Sequence, residues 1–229
     1  MYKYTQENAE TYKTLGIEGT TYQPGFDEVR NILGDLHGKV ALDFGTGAGR
    51  TARLLHALGA EKVIGVDHNQ TMINQAISSH EKGLEFITVG EKLPFDQDTF
   101  DAALAAHVFV EVSTLNEMHQ ISNEVYRVLK HGAVFVIVAN NSQAIGKNYL
   151  SFSYPMPTKQ LVSGGKIPCT IKKGEGSFVI DDYYWTENDY KGVLEKAGFT
   201  VTMTLPRASG EGWLDEANTA PHVVIKAVK

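Results

Sequence analysis

Val40-Ala41-Leu42-Asp43-Phe44-Gly45-Thr46-Gly47-Ala48-Gly49 is the stretch whose reading decides the fold of this chain. Its first five residues read as a buried strand that stops at the glycines. Residues 51–58, with Ala52, Leu55 and Leu58 on one face, read as the helix that follows. Between the two lies a loop in which every second residue is glycine, so its backbone can approach a ligand closely where any Cβ would intrude. Taken alone such a loop is weak evidence, because many glycine-rich turns are simply tight turns.

The chain on either side repeats the same rhythm. Short apolar runs at 62–66, 85–89, 101–106 and 133–139 predict strands, and the last is apolar throughout, as in a strand covered on both faces. Residues 70–79 predict a helix. So do residues 114–129, where Leu115, Met118, Ile121, Val125, Val128 and Leu129 recur at helical spacing. The rhythm breaks at 140–184, which is rich in Ser, Gly, Pro and Tyr and carries no clear helix. A helix over 186–197 restores it, with Thr186 and Asp189 as a capping box and Gly198 as its stop. Strands at 200–205 and 222–227 close the chain. Strand–helix alternation of this kind implies right-handed crossovers and a mainly parallel sheet with helices on both faces. Ligands then sit beyond the carboxyl ends of the strands. That gathers residues 43–49, Asp67, 89–91, 106–111 and the pair Asn140-Asn141 around one cleft.

A second feature specifies the ligand. Val63-Ile64-Gly65-Val66-Asp67 ends a strand in an acid 22 residues after Gly45, where a carboxylate can accept both hydroxyls of a ribose. The dinucleotide fingerprint requires a third glycine at position 50, and Arg50 stands there, so a pyrophosphate ligand is disfavoured. At this point the chain resembles the class I S-adenosylmethionine-dependent methyltransferases. The matching motifs are Leu42 to Gly49, Gly65-Val66-Asp67, Leu93-Pro94-Phe95 followed by Phe100-Asp101, and Glu124-Val125-Tyr126-Arg127-Val128-Leu129-Lys130-His131-Gly132. The resemblance is close over residues 39–139 and holds in outline on the flanks. It implies a Rossmann-like α/β fold with a seven-stranded sheet. The chain would form one domain over 1–229, with an N-terminal cap over 1–38 and a lid inserted after the fifth strand over 140–185.

For the site, the resemblance implies that Asp43 lies near the amino-acid end of S-adenosylmethionine, through its amino group or a water. Gly45, Thr46 and Gly47 would line that end and Asp67 would take the ribose hydroxyls. His68 or Met72 would cover an adenine face. The family often has Asp-Ala before its Leu-Pro-Phe motif, the Asp accepting from the adenine amino group. Here Val89-Gly90 stands in that place, so Gly90 can only line the adenine and its amino contact has to come from elsewhere, Glu91 being one candidate. Tyr4, Tyr12 and Tyr22 resemble the family's N-terminal cap and form a candidate second wall.

Methyl transfer from a sulfonium chiefly needs alignment and exclusion of water. A base is required only for an alcohol, a phenol or a protonated amine. His107, just after the fourth strand, is one candidate, with a hydrogen-bonded structural histidine as the other reading; Glu111, four residues on, reads as a solvated or capping carboxylate. Asn140 and Asn141 either hold an amino-acid moiety or make Asx turns. Tyr183-Tyr184-Trp185 could face the cationic sulfonium, or pack before the helix, as at least one of them must. Ser209 and Arg207 lie between the last two strands, near Glu211 and Trp213.

Composition narrows the function classes. A formal charge of −6 and no basic cluster longer than Lys172-Lys173 argue against nucleic acid as a partner. The single cysteine, Cys169, cannot form an internal disulfide and reads as a small, partly buried residue. The eight histidines lack metal-ligand spacing, so no metal is implied. No apolar run approaches the roughly 20 residues needed to span a bilayer. Residues 1–10 lack an apolar export segment. A cytoplasmic monomer or homodimer acting on a small molecule is expected. The first reading is methyl transfer from S-adenosylmethionine to a small acceptor. The alternative keeps the cofactor but has its own α-amino group attack the γ-carbon, giving azetidine-2-carboxylate and methylthioadenosine, with Asn140, Tyr184 and Ser209 gripping the amino acid. A third reading is a non-catalytic binding module.

Overall fold

In the computed structural model, which describes residues 16–78, 81–174 and 176–229, the decisive stretch forms the strand β1 (Val40–Phe44) and a turn into helix α2 (Arg50–Ala57). Ahead of them α1 (Gln23–Leu33) packs on the sheet. After them come β2 (Lys62–Asp67), α3 (Gln70–Ile77), β3 (Leu84–Thr88), β4 (Phe100–Ala106), α4 (Leu115–Val128) and β5 (Leu129–Asn140). The chain continues through β6 (Phe152–Ser153), β7 (Lys166–Lys173), β8 (Gly176–Tyr183), α5 (Glu187–Lys196), β9 (Thr200–Thr204) and β10 (His222–Val228).

The main sheet has seven strands in the order β3-β2-β1-β4-β5-β10-β9, and only β10 runs against its neighbours. This is the expected Rossmann-like α/β architecture, a mainly parallel seven-stranded sheet with helices on both faces. Strands progress outward from β1 in one direction and from β4 in the other, so the sheet's switch point lies between their carboxyl ends. Alternation along the strands feeds two cores. Leu42, Phe135, Ile137 and Ile225 pack with Met118, Val125, Tyr190 and Leu194 of α4 and α5. Ala41, Val136, Val138 and Val224 pack with Phe26, Val29, Ala52 and Leu55 of α1 and α2 on the other face.

Strand and helix limits differ from the sequence reading by one or two residues, except that β5 begins at Leu129, directly after α4, rather than at residue 133. The helix expected over 70–79 ends at Ile77; Ser79, like Tyr4 and Tyr12, lies outside the described residues. Capping of α5 is as expected. Thr186 accepts from the Asp189 backbone, Asp189 accepts from the Thr186 backbone, and Gly198 follows at φ +107°.

Helix α1 and the strands β6 and β7 were not read from the sequence, whereas a short β-like run over 177–180 was, and it lies within β8. Helix α1 was hidden by Pro24 and Gly25 in its first turn, although proline is well placed there because that N–H has no helical partner. Within the insertion, β6, β7 and β8 form a separate three-stranded antiparallel sheet. Ile167, Cys169 and Ile171 alternate inward on β7, and Ile180 and Asp182 do so on β8. Pro168 masked this alternation on β7. The short β6 meets β7 only at Thr170 and Ile171, so at Pro168 β7 is an edge and needs no donor on that side. Buried Glu216 ties this insertion to both ends of the chain. It accepts from Thr21 Oγ1 at 2.7 Å, from the Leu150 backbone at 2.7 Å and from the Leu214 backbone at 3.0 Å.

Candidate functional site

One cavity of about 460 Å³ opens at the carboxyl ends of β1 and β4 and runs beneath the insertion. Its first wall is the glycine loop. Gly45 and Thr46 donate their backbone N–H groups to Val66 O at 2.8 and 2.9 Å, which pins the loop to the end of β2. Gly45 sits at φ +72°, and a Cβ there would lie 2.3 Å from Val108 Cγ2. Only glycine fits that position.

Asp67 completes this wall. Its Oδ2 accepts from Gly47 N at 2.9 Å and its Oδ1 from Asn69 N at 2.8 Å, so the carboxylate is aimed before any ligand arrives. Each oxygen keeps a lone pair for a further donor. His68 Nδ1 lies 3.3 Å from the same carboxylate, which raises its pKa. Met72, His68, Gly90 and Glu91 line the cavity beyond.

Asp43 corrects an expectation. It does not line the cavity. It is buried behind the loop, where Oδ2 accepts from Thr46 Oγ1 at 2.5 Å and Thr51 Oγ1 at 2.7 Å, so it organises the loop instead of meeting a ligand directly. Its Oδ1 has no partner among the described residues, and burial pushes its pKa up to about 6. A carboxyl whose folded pKa is raised holds its proton in the folded chain and releases it in the unfolded one between about pH 4 and 6. Stability contributed by that proton is therefore lost as pH rises through this window. Replacing Asp43 by Asn should stabilise the ligand-free protein by about 1–2 kcal/mol at pH 8 and by almost nothing at pH 4. Chemical denaturation at the two pH values checks this, and equal effects at both would contradict it.

The second wall combines the insertion with Tyr22 and with residues at the ends of β4 and β10. Tyr22, His107 and His222 cluster with ring centroids 4.8–5.8 Å apart, and Arg50 lies 5.0 Å from the Tyr22 ring. His107 occupies the left-handed region at φ +61°. Its Nε2 and both ring nitrogens of His222 are buried without hydrogen-bond partners among the described residues. Burial holds His107 well below the ordinary histidine range and His222 at about 3, so both rings are neutral. Across from them Asn140 donates to Tyr154 Oη and, at 2.9 Å, to Asp182 Oδ2. Tyr154 Oη donates to the same oxygen at 2.5 Å. Phe152, Cys169, Ile171 and Ile180 supply the apolar lining here.

Several expected residues therefore meet. Gly45, Thr46, Gly47, Asp67, His68, Met72, Gly90, Glu91, His107, Asn140 and Tyr22 all line the cavity, as does Glu111. Asn141 is structural, donating to Ala220 O at 2.7 Å and accepting from Gln143 N at 3.0 Å. Tyr184 and Ser209, expected as reacting-site residues, do not line the cavity. Tyr184 lies past the end of β8, where its backbone pairs with residues 164 and 165, and its ring packs on the α1/α2-side core. Ser209 is exposed on the β9–β10 loop, with its carbonyl taken by Trp213. Tyr183 does not line the cavity either, and Trp185 is buried with its indole N–H on Val112 O at 3.1 Å. The motif Leu93-Pro94-Phe95 is a clasp: Arg127 donates to the carbonyls of Leu93 and Phe95 at 3.0 and 2.7 Å.

Sequence reasoning missed Tyr154, Asp182 and His222. Asp182 carried a usable signal, since it takes the inward position of the alternating series Phe178, Ile180, Asp182.

The chain is similar to known proteins in sequence and in fold. Residues 42–137 match the family model described as a methyltransferase domain. N-demethylindolmycin N-methyltransferase of Streptomyces griseus is 24% identical over 164 residues, covering 69% of this chain and 68% of that protein. Sterol methyltransferase-like 3 of Botryococcus braunii is 32% identical over 115 residues, covering 48% of this chain but only 29% of its own length. The crystal structure of an S-adenosylmethionine-dependent methyltransferase from Mesorhizobium loti superimposes with a TM-score of 0.69 at 18% identity, over 93% of this chain and all of that one, a likeness of fold. No helix among the described residues is long and apolar enough to cross a membrane.

Proposed function

We infer that this chain, a methyltransferase-fold protein whose cofactor is S-adenosylmethionine, transfers a methyl group to a small molecule seated beneath the insertion. One observation carries the reading: a single cavity joins the glycine loop and Asp67 to a separately lined chamber under the β6–β8 sheet. The residues fit the cofactor. Asp67 offers an oriented carboxylate to the ribose, the loop at Gly45 and Gly47 admits the amino-acid end, and Met72 and His68 flank the adenine. When bound, the cofactor supplies an electrophilic methyl on a sulfonium.

The protein's own task is then placement and dryness. The insertion acts as a lid, its floor provided by Tyr22, Phe152, Ile171 and Ile180. His107, partly buried and neutral, helps to orient the acceptor with its ring. A net charge of −6 keeps nucleic acid out of the reading, and we take the protein to act in the cytoplasm as a monomer or homodimer. The cyclisation alternative relied on Asn140, Tyr184 and Ser209, and two of those three lie away from the cavity.

Incubation with S-adenosylmethionine separates the two reactions. S-adenosylhomocysteine formed only when a small nucleophile is added supports transfer. Methylthioadenosine formed from the cofactor alone would replace it with cyclisation. Cofactor binding with neither product would leave a binding module.

A further inference from the structure

The chamber beneath the insertion holds a carboxylate that the cofactor reading does not use. Asp182 is 3% exposed, and its Oδ2 is occupied by Tyr154 and Asn140. Its Oδ1 is buried with no hydrogen-bond partner among the described residues, and the Cys169 thiol beside the carboxylate is at most a weak donor. A buried acceptor of this kind is unfavourable, the more so when charged, unless a donor reaches it. The side chain lines the cavity, so that donor can come from a guest.

We propose that the acceptor is a compact amine whose nitrogen is held at Asp182 Oδ1 and relieved of a proton by it, with Tyr154 and Asn140 fixing the carboxylate. The inference rests on the transferase reading and names its substrate class. Charge favours an amine over an anion. The cavity is lined by Asp67, Glu91, Glu111, Glu117 and Asp182 against Arg50 and His68. His107 and His222 face the chamber as neutral rings and bring no opposing charge. Arg50, the one guanidinium lining the cavity among the described residues, lies over the Tyr22 and Phe26 rings at 5.0 and 5.4 Å. The apolar lining suits a hydrocarbon or aromatic body attached to the nitrogen, with Tyr22 and Phe152 as faces for a ring.

An alkylammonium gives one N–H proton to the Asp182 carboxylate and becomes a neutral amine with a free lone pair. That pair forms the new nitrogen–carbon bond while the carbon–sulfur bond breaks, its electrons remaining on sulfur as a neutral thioether. The product nitrogen is again cationic, and the proton on Asp182 leaves to solvent when the site opens. Burial raises the Asp182 pKa to about 6, opposed by the donors Tyr154, Asn140 and Cys169 and reinforced by neighbouring Asp181. The carboxylate is therefore the prevailing form above pH 6 and is lost as pH falls through 6. Cys169 and Tyr154, both pushed upward by burial, stay neutral throughout.

Calorimetry on protein saturated with S-adenosylhomocysteine tests the assignment with 2-phenylethylamine and its alcohol counterpart 2-phenylethanol. At pH 8 the amine should bind at least tenfold more tightly than the alcohol. Asp182→Asn should remove that preference while changing alcohol and S-adenosylhomocysteine affinity by less than twofold. Tyr154→Phe should reduce the preference about threefold, and lowering the wild-type protein to pH 5 should abolish it. Equal binding of the two probes, binding of neither, or a preference that survives Asp182→Asn would overturn the proposal. If S-adenosylhomocysteine binds and the amine is not preferred, only this inference falls. If S-adenosylhomocysteine fails to bind, the transferase reading falls with it.

Discussion

Asp67→Ala should lower affinity for S-adenosylhomocysteine by at least a hundredfold, measured by calorimetry. The carboxylate has two roles at once. It is the acceptor proposed for the ribose hydroxyls, and it already takes the backbone N–H groups of Gly47 and Asn69. Hydrogen bonds to a charged acceptor are worth about 1.5–3 kcal/mol each, so losing two to the sugar corresponds to roughly two to four orders of magnitude in affinity. Thermal stability should fall much less, because the freed N–H groups border an open cavity and can be hydrated. Asp67→Asn discriminates charge from shape. It keeps an acceptor oxygen and should recover part of the loss. Retention of wild-type affinity in Asp67→Ala would remove the ribose assignment and the cofactor pose built on it.

Gly45→Ala is the second change with a large expected effect. The new methyl group would lie 2.3 Å from Val108 Cγ2, and the residue would be held at φ +72°. The left-handed conformation alone costs an L-residue about 1–2 kcal/mol, and the loop or Val108 must also move. Since the two loop N–H groups that bind Val66 O come from Gly45 and Thr46, that movement loosens the whole turn. Cofactor affinity should drop by about a hundredfold and the midpoint of thermal unfolding by about 5–10 °C. Adding Val108→Ala removes the collision but not the backbone strain, so the double variant should recover about tenfold in affinity and stop short of wild type. A single variant that binds within threefold of wild type would show that the loop tolerates a Cβ.

The cofactor half of the site was legible because it is local. The end of β1, three spaced glycines and an acid at the end of β2 are short-range features whose geometry follows from one strand–turn–helix unit and its neighbour. Even there one detail was left open. Asp43 was expected at the amino-acid end, directly or through a water, and strand alternation turns its side chain under the loop, toward the hydroxyls of Thr46 and Thr51, which leaves it no direct place on the cavity wall. The acceptor half was barely legible. Tyr154, Asp182 and His222 come from three segments separated by 28 and 40 residues. A proline inside β7 concealed the sheet that carries two of these segments to the cavity.

Taken by itself, the order of residues determined the sheet, the switch point and the nucleotide-binding face, since apolar periodicity and glycine placement act between near neighbours. Only the tertiary structure decided which polar side chains meet beneath the insertion. It moved Tyr184 and Ser209 out of the cavity and brought Asp182 in, because a side chain's surroundings there depend on how β8 registers against β7 and how Glu216 anchors the segment. Those are long-range contacts, and no local pattern of residues encodes their partners.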